Sequence, residues 1–249
     1  MREAARSFAL AIALTLAGLG ALRAQPLIAD LSDHVIAIEA DFTGEEIVLF
    51  GARGQPGEVV VTVVGPDRSV LVRQKEPVAG VWMNQGAVTF EGVPRFYAVA
   101  ASADLVAIGS PVMRARHRMG VDVLRFQPAD PTIDPETVTR YRDALITSMQ
   151  SNDLYPLTQG RVQFLGPSLF RTTISFPSTL PVGAYTIAVY LVADGAVVAA
   201  QTTPLRVSKS GFMNELFLFS RQHALIYGVA CVVFAMLAGW FSSFVFRRA

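Results

Sequence analysis

Ala184-Tyr-Thr-Ile-Ala-Val-Tyr-Leu-Val-Ala-Asp-Gly-Ala-Val-Val-Ala-Ala-Gln-Thr-Thr203 reads as two strands folded back on one another. Tyr185, Ile187, Val189 and Leu191 alternate with smaller residues, the period of a strand with one face in a core. Asp194-Gly195 interrupts the run, and Asp-Gly readily adopts the positive φ angles that a two-residue hairpin turn requires. Just upstream, Pro181-Val-Gly183 marks another turn and Leu169 to Phe176 another strand. Residues 159–210 therefore form a β-hairpin region.

A second β region precedes it, over 25–101. His34–Glu39, Glu46–Phe50, Glu58–Val64, Ser69–Arg73, Val88–Phe90 and Arg95–Val99 are short and rich in β-branched residues. Gly51, Gly54-Gln-Pro-Gly57 and Gly65-Pro66-Asp67 separate them. This spacing predicts a mainly β protein, an immunoglobulin-like β-sandwich that 159–210 completes or packs against. The paired cysteines of true immunoglobulin domains are missing, so only the architecture is implied.

Between the two lies a helical segment, 102–158. Short helices are expected over Ala103–Gly109 and Val112–Leu124. Asp134-Pro135-Glu136 opens a clearer one: Asp134 as N-cap, Pro135 in the first turn, Glu136 at the positive end of the helix dipole. Val138, Tyr141, Leu145 and Met149 then recur every three or four residues and define one apolar face.

After a juxtamembrane link (211–223) whose Phe212, Leu216, Phe217 and Phe219 suit a membrane interface, residues 224–246 carry no charge. At 1.5 Å per residue, 23 helical residues span a hydrocarbon core of about 30 Å. Their large apolar side chains favour insertion by about 4 kcal/mol in total. The other end reads as a signal peptide, 1–24: Arg2 and Arg6, an apolar run from Phe8 to Leu22, then Ala24. Together the ends predict a single-pass bacterial inner-membrane protein with a periplasmic body, and a cytoplasmic tail (247–249) whose Arg247 and Arg248 obey the positive-inside bias.

The overall charge of +1 hides an asymmetry. Residues 25–222 hold 16 basic and 19 acidic side chains, a balance that points away from nucleic acid. The one cysteine, Cys231, falls in the apolar helix, so the exported part must be held by its core without disulfides or zinc–thiolate sites. His34, His117 and His223 stand apart without metal-ligand spacing, and neither Ser110 nor Ser168 sits in a nucleophile elbow. No catalytic, cofactor or metal residue is assigned, and no cofactor is expected.

Two association surfaces are candidates. Arg114, Arg116 and Arg118, with His117, form the densest basic patch of the exported part, suited to lipid headgroups, an anion or an acidic partner. Alternatively they are a solvated helix face pairing with local acids such as Asp122. In the apolar helix, Ala224, Gly228, Cys231, Ala235, Ala238 and Ser242 form a small-residue stripe along which a second helix could approach closely.

Several segments together carry a resemblance: Asp41-Phe-Thr-Gly-Glu-Glu-Ile-Val-Leu-Phe-Gly-Ala52, Val93-Pro-Arg-Phe-Tyr-Ala-Val99, Arg116-His-Arg-Met-Gly-Val-Asp-Val-Leu-Arg-Phe126, Leu169-Phe-Arg-Thr172, Pro181-Val-Gly-Ala-Tyr185, Leu225-Ile-Tyr-Gly228 and Ala238-Gly-Trp240. With these the chain resembles the alphaproteobacterial putative transmembrane protein family over essentially its whole mature length. The resemblance implies an inner-membrane protein with a periplasmic domain and no established activity. It also implies an association with sulfite-exporter-type permeases encoded nearby. The expectation is a non-enzymatic accessory that assists a membrane transporter, with the bilayer and an inner-membrane protein, or a second copy through the helix, as partners. The alternative is a periplasmic ligand-binding or hydrolytic module whose site assembles only in three dimensions.

Overall fold

The computed structural model describes residues 27–78, 81–210 and 219–246. The expected signal peptide, the tail, and Phe212, Leu216 and Phe217 of the link lie outside the described residues. The protein is mainly β, with several sheets and one C-terminal apolar helix.

The first sheet contains β1 (Leu27–Leu31), β3 (Gly44–Arg53), β10 (Gln163–Leu165) and β11 (Leu169–Pro177), in the order β1-β3-β11-β10. The second contains β2 (Val35–Ile38), β4 (Glu58–Val64), β7 (Tyr97–Ala101), β9 (Gly160–Arg161), β12 (Gly183–Ala193) and β13 (Ala196–Lys209), in the order β2-β13-β12-β4-β7-β9. Side chains of both sheets meet in one core. Leu27, Ala29, Leu31, Ile47, Leu49, Phe170 and Ile174 come from the first, and Ile36, Val59, Val61, Val63, Tyr185, Ile187 and Leu205 from the second. At the open edge Gln201 links the two: its amide accepts from Ala29 N–H at 2.9 Å and donates to Ala29 C=O at 2.7 Å. That satisfies part of β1's free backbone edge, which would otherwise invite strand addition.

The two sequence regions are interleaved. β3 pairs antiparallel with β11 from Gly44↔Pro177 to Ala52↔Leu169, and β4 pairs with β12 from Glu58↔Val192 to Val64↔Thr186. The Asp194-Gly195 hairpin forms as expected, with Ala193 opposite Ala196. By contrast β5 (Asp67–Val78) and β6 (Val81–Pro94), expected within the sandwich, form a sheet of their own with β8 (Gln127–Pro128).

That third sheet and the helices cover the outer face of the six-stranded sheet. The helices are α1 (Leu105–Ile108), α2 (Pro111–Arg116), a 3-10 turn (Val121–Val123) and α3 (Pro135–Ser151). Val60 and Val192 pack there against Leu105, Ile108 and Met119, while Tyr97 packs with Phe90, Tyr141, Leu145 and Tyr155. β4 is thus buried on both sides, which explains why Val59, Val60, Val61, Thr62 and Val63 are all buried, and why valine fills both faces rather than alternating with polar residues. β12 shows the same change along its length: alternation up to Ile187, then Ala188, Val189, Leu191 and Val192 all buried. The outer face of the four-stranded sheet has no such cover among the described residues.

α3 runs as its sequence predicts. Asp134 accepts from the N–H groups of Glu136 and Thr137 at 2.9 and 3.2 Å, and Tyr141, Leu145 and Met149 are the buried face. Each such burial contributes about 1.5–3 kcal/mol. The helix expected over Val112–Leu124 is a correction: α2 stops at Arg116. Arg118 and Gly120 take φ of 53° and 124°, values that end a right-handed helix.

α4 (Ala224–Phe246) is long and apolar enough to cross a membrane, and its described side chains are exposed except Tyr227, which is half-buried. Backbone bonds from His223 to Phe219 and from Tyr227 to His223 join it to the preceding turn.

Candidate functional site

α2 is short, and its position depends on its ends. Ser110 caps it, accepting from Met113 N–H at 3.3 Å, and Pro111 sets the first turn. Past its C-terminus the chain reverses through Arg118, Met119 and Gly120. Tyr97 of β7 holds that reversal: its hydroxyl donates to Arg118 C=O at 2.6 Å and accepts from Gly120 N–H at 2.7 Å. Burial pushes the Tyr97 phenol pKa well above its ordinary value, against the opposing effect of the Gly120 N–H.

The reversal separates the three arginines of the expected basic patch. Arg114 points inward, is 6 % exposed, and donates from Nη1 to both Asp122 carboxylate oxygens at 2.8 and 3.1 Å. Its buried Nε has no hydrogen-bond partner among the described residues. Arg114 therefore leaves the patch and serves as a structural brace, because its guanidinium is enclosed and its charge matched by Asp122. Gly120 makes room for this pair, since a Cβ there would collide with the Asp122 carboxylate. His117 turns its ring edge-on to Tyr190, with centroids 5.2 Å apart. Arg116 and Arg118 remain exposed, and of the two only Arg116 reaches the groove described next.

Between α2 and the first two turns of α3 lies a groove of about 960 Å³. Pro111, Val112 and Ala115 of α2 form one wall, and Pro135, Val138 and Thr139 of α3 the other, with Phe126, Pro128 and Ile133 between. Arg116, Arg125 and Arg142 rim it. Arg142 is paired with Asp143 at 2.7 Å, whereas Arg116 and Arg125 have no carboxylate partner among the described residues. Among the described residues the one carboxylate lining the groove, Asp122, is committed to Arg114. An apolar trough with two free guanidinium groups can hold an apolar segment and pair with acids beside it.

Arg125 and Arg142 were not singled out from the sequence, yet both left a signal. Leu124-Arg125-Phe126 alternates buried, exposed, buried, which turns Arg125 outward. Pro135, Val138, Thr139 and Arg142 recur at helical spacing on a stripe offset from Tyr141, Leu145 and Met149.

The histidines do not converge on the groove. His34 pairs with Asp30 at 2.9 Å on an exposed turn, and no group of three His, Cys, Asp or Glu suited to a metal occurs among the described residues. In α4, Ala224, Gly228, Cys231, Ala235 and Ala238 are exposed; the Ser242 side chain lies outside the described residues. A Cβ built on Gly228 or Gly239 meets nothing within 4 Å among the described residues, so this face has room for another helix.

A β-rich body with an apolar helix of membrane-spanning length at its C-terminal side defines a membrane protein anchored by a single helix among the described residues. Residues 26–248 match the family described as Putative transmembrane protein (Alph_Pro_TM), and the chain belongs to that family, whose function is unknown. A comparison with curated proteins gives no match.

Proposed function

We propose that the protein is a non-enzymatic accessory of the bacterial inner membrane. α4 anchors it, its β-rich body lies in the periplasm as an immunoglobulin-like sandwich, and it assists or stabilises an inner-membrane transporter. The observation that supports this most is the α2–α3 groove, an apolar trough beside which Arg116 and Arg125 lack carboxylate partners among the described residues. Its occupant under this reading is an acidic-apolar segment of the transporter, for which a sulfite-exporter-type permease is the choice that the family resemblance suggests. The groove lies beside α2, near the β12–β13 turn, because Met113 and Gly195 O both approach Gly109. Lys209, from which the chain proceeds to α4, is at the other end of β13, 14 residues or about 45 Å away.

The test is crosslinking in intact membranes, then solubilisation, affinity purification and partner identification by mass spectrometry. A membrane protein should co-purify with the natural chain and be lost with Arg116→Glu/Arg125→Glu, while thermal unfolding is unchanged. Recovery of the natural chain without a partner, or full retention of the partner by the doubly reversed variant, would refute the reading.

A further inference from the structure

The uncovered face of the four-stranded sheet carries rows of side chains that run straight across the strands. Ile28, Ala52, Leu169 and Leu165 stand opposite one another on β1, β3, β11 and β10. In the next row are Asp30, Phe50, Arg171 and Gln163, and beyond it Val48 lies opposite Thr173. Ile28, Phe50, Leu165 and Leu169 are each about half exposed, and Val48 is 38 % exposed. Their combined area is on the order of 500 Å², in the upper part of the range for a monomer's largest apolar patch.

We propose that this face is a self-association surface whose occupant is a second copy of this chain, related by a twofold axis that runs parallel to β3, above it and midway between the two faces. Strands in a sheet are spaced by about 4.8 Å, and β1 and β11 flank β3 at equal distances on opposite sides. Rotation about that axis therefore lays Asp30 of each copy over Arg171 of the other, Phe50 over Phe50, and Ile28 over Leu169. An axis across the strands would instead set Asp30 on Asp30 and Arg171 on Arg171, which is repulsive. Arg171 has no carboxylate partner among the described residues, and Asp30, held on one side by His34, keeps its side chain 57 % exposed. Two sheets pack face to face at about 10 Å, close enough for these side chains to meet. This axis leaves both β13 ends at the same position along it, so both α4 helices can enter one bilayer whose normal runs along the axis. Leu165 on β10 lies outside the overlap of β1, β3 and β11, and with Asp30 and Arg171 counted the overlapping strands of the two copies bury on the order of 1,000 Å², the lower limit for a specific interface; tethering in a shared membrane raises the effective concentration.

The experiment is sedimentation equilibrium of the full chain in density-matched detergent, comparing the natural protein with Asp30→Arg, Arg171→Asp and the double exchange. The natural chain should dimerise. Each single reversal should weaken the dimer about tenfold, since it turns two symmetry-related attractions into two repulsions. The double exchange should restore affinity to within about threefold of the natural chain, with circular dichroism confirming the fold of all four proteins. A monomeric natural chain, a dimer unaffected by the single reversals, or a folded double exchange that fails to recover would overturn the proposal. The second outcome would place association elsewhere, as on the α4 stripe. Quenching of a dye at Leu169→Cys (in Cys231→Ala) by lipid-borne quenchers, and not by a second labelled chain, would show that the bilayer covers this face and would also overturn it. None of these variants touches the groove, so this result and that of the partner purification are independent.

Discussion

Removing one oxygen atom should loosen the groove's α2 wall. In Tyr97→Phe the ring stays in its core but the hydroxyl between Arg118 C=O and Gly120 N–H is lost. Both bonds are short, and Tyr97 is fully buried. Each lost bond costs about 1 kcal/mol, and the Gly120 N–H, left buried without an acceptor, adds about 1–2 kcal/mol. The expected destabilisation is about 3–4 kcal/mol, or roughly 6–16 °C in Tm for a body of about 200 residues. Tyr155→Phe and Tyr185→Phe are the internal controls. Each loses one donated bond, to Pro94 C=O at 2.7 Å and to Pro181 C=O at 2.6 Å, and strands no donor, so about 1 kcal/mol is expected. Thermal unfolding followed by near-ultraviolet circular dichroism measures the three side by side. Hydrogen exchange at the Gly120 amide reports the local effect, with at least about tenfold faster exchange expected in Tyr97→Phe. A Tyr97→Phe loss no larger than the controls, or a Gly120 amide still fully protected, would refute the view that this hydroxyl organises the chain reversal.

Other consequences can be checked independently. Gly120→Ala should destabilise by at least about 2 kcal/mol in urea unfolding, because a φ of 124° strains any L side chain and the new Cβ collides with Asp122. Burial raises the folded-state pKa of Tyr97, Tyr155 and Tyr185 above the unfolded value near 10, so their contribution is full below pH about 10 and falls as pH rises past it. The urea midpoint should therefore drop above pH about 10, and phenolate absorbance should show these three of the six tyrosines ionising only as the protein unfolds. Asp134, whose carboxyl pKa is lowered by hydrogen bonds from Thr137 and then Glu136, works in the opposite direction. Its contribution is present above pH about 4 and is lost as pH falls through its folded value, so Asp134→Ala should flatten the acid limb of the stability curve. Gly228→Leu or Ala235→Leu should reduce crosslinking through α4 without altering membrane insertion; unchanged crosslinking in both would remove the stripe as a packing face.

Much of the local structure was legible in the chain. Glu58–Val64 coincides with β4, Asp194-Gly195 turns the β12–β13 hairpin, and Tyr141, Leu145 and Met149 are the buried face of α3. The groove was only partly legible. Arg116 was singled out with Arg114 and Arg118 because the three lie within five residues. Their fates differ because Arg118 and Gly120 reverse the chain, and because Asp122 sits where only Arg114 reaches it. The valine-rich run of β4 was visible too, but one strand cannot say that a helical layer covers its second face.

By itself the sequence determined the elements and their apolar faces, because propensity, turn chemistry and side-chain period act over a few residues. It also determined the membrane helix, since 23 uncharged residues suffice to cross a bilayer. The tertiary structure alone decided the partnerships. β3 meets β11 across more than a hundred residues of chain, and Tyr97 reaches past β7 to hold the reversal after α2. Such pairings are chosen by the packing of whole sheets against the entropy of closing long loops, a comparison that no local window contains. The row of Ile28, Ala52, Leu169 and Leu165, and the opposed positions of Asp30 and Arg171, arise from that register alone.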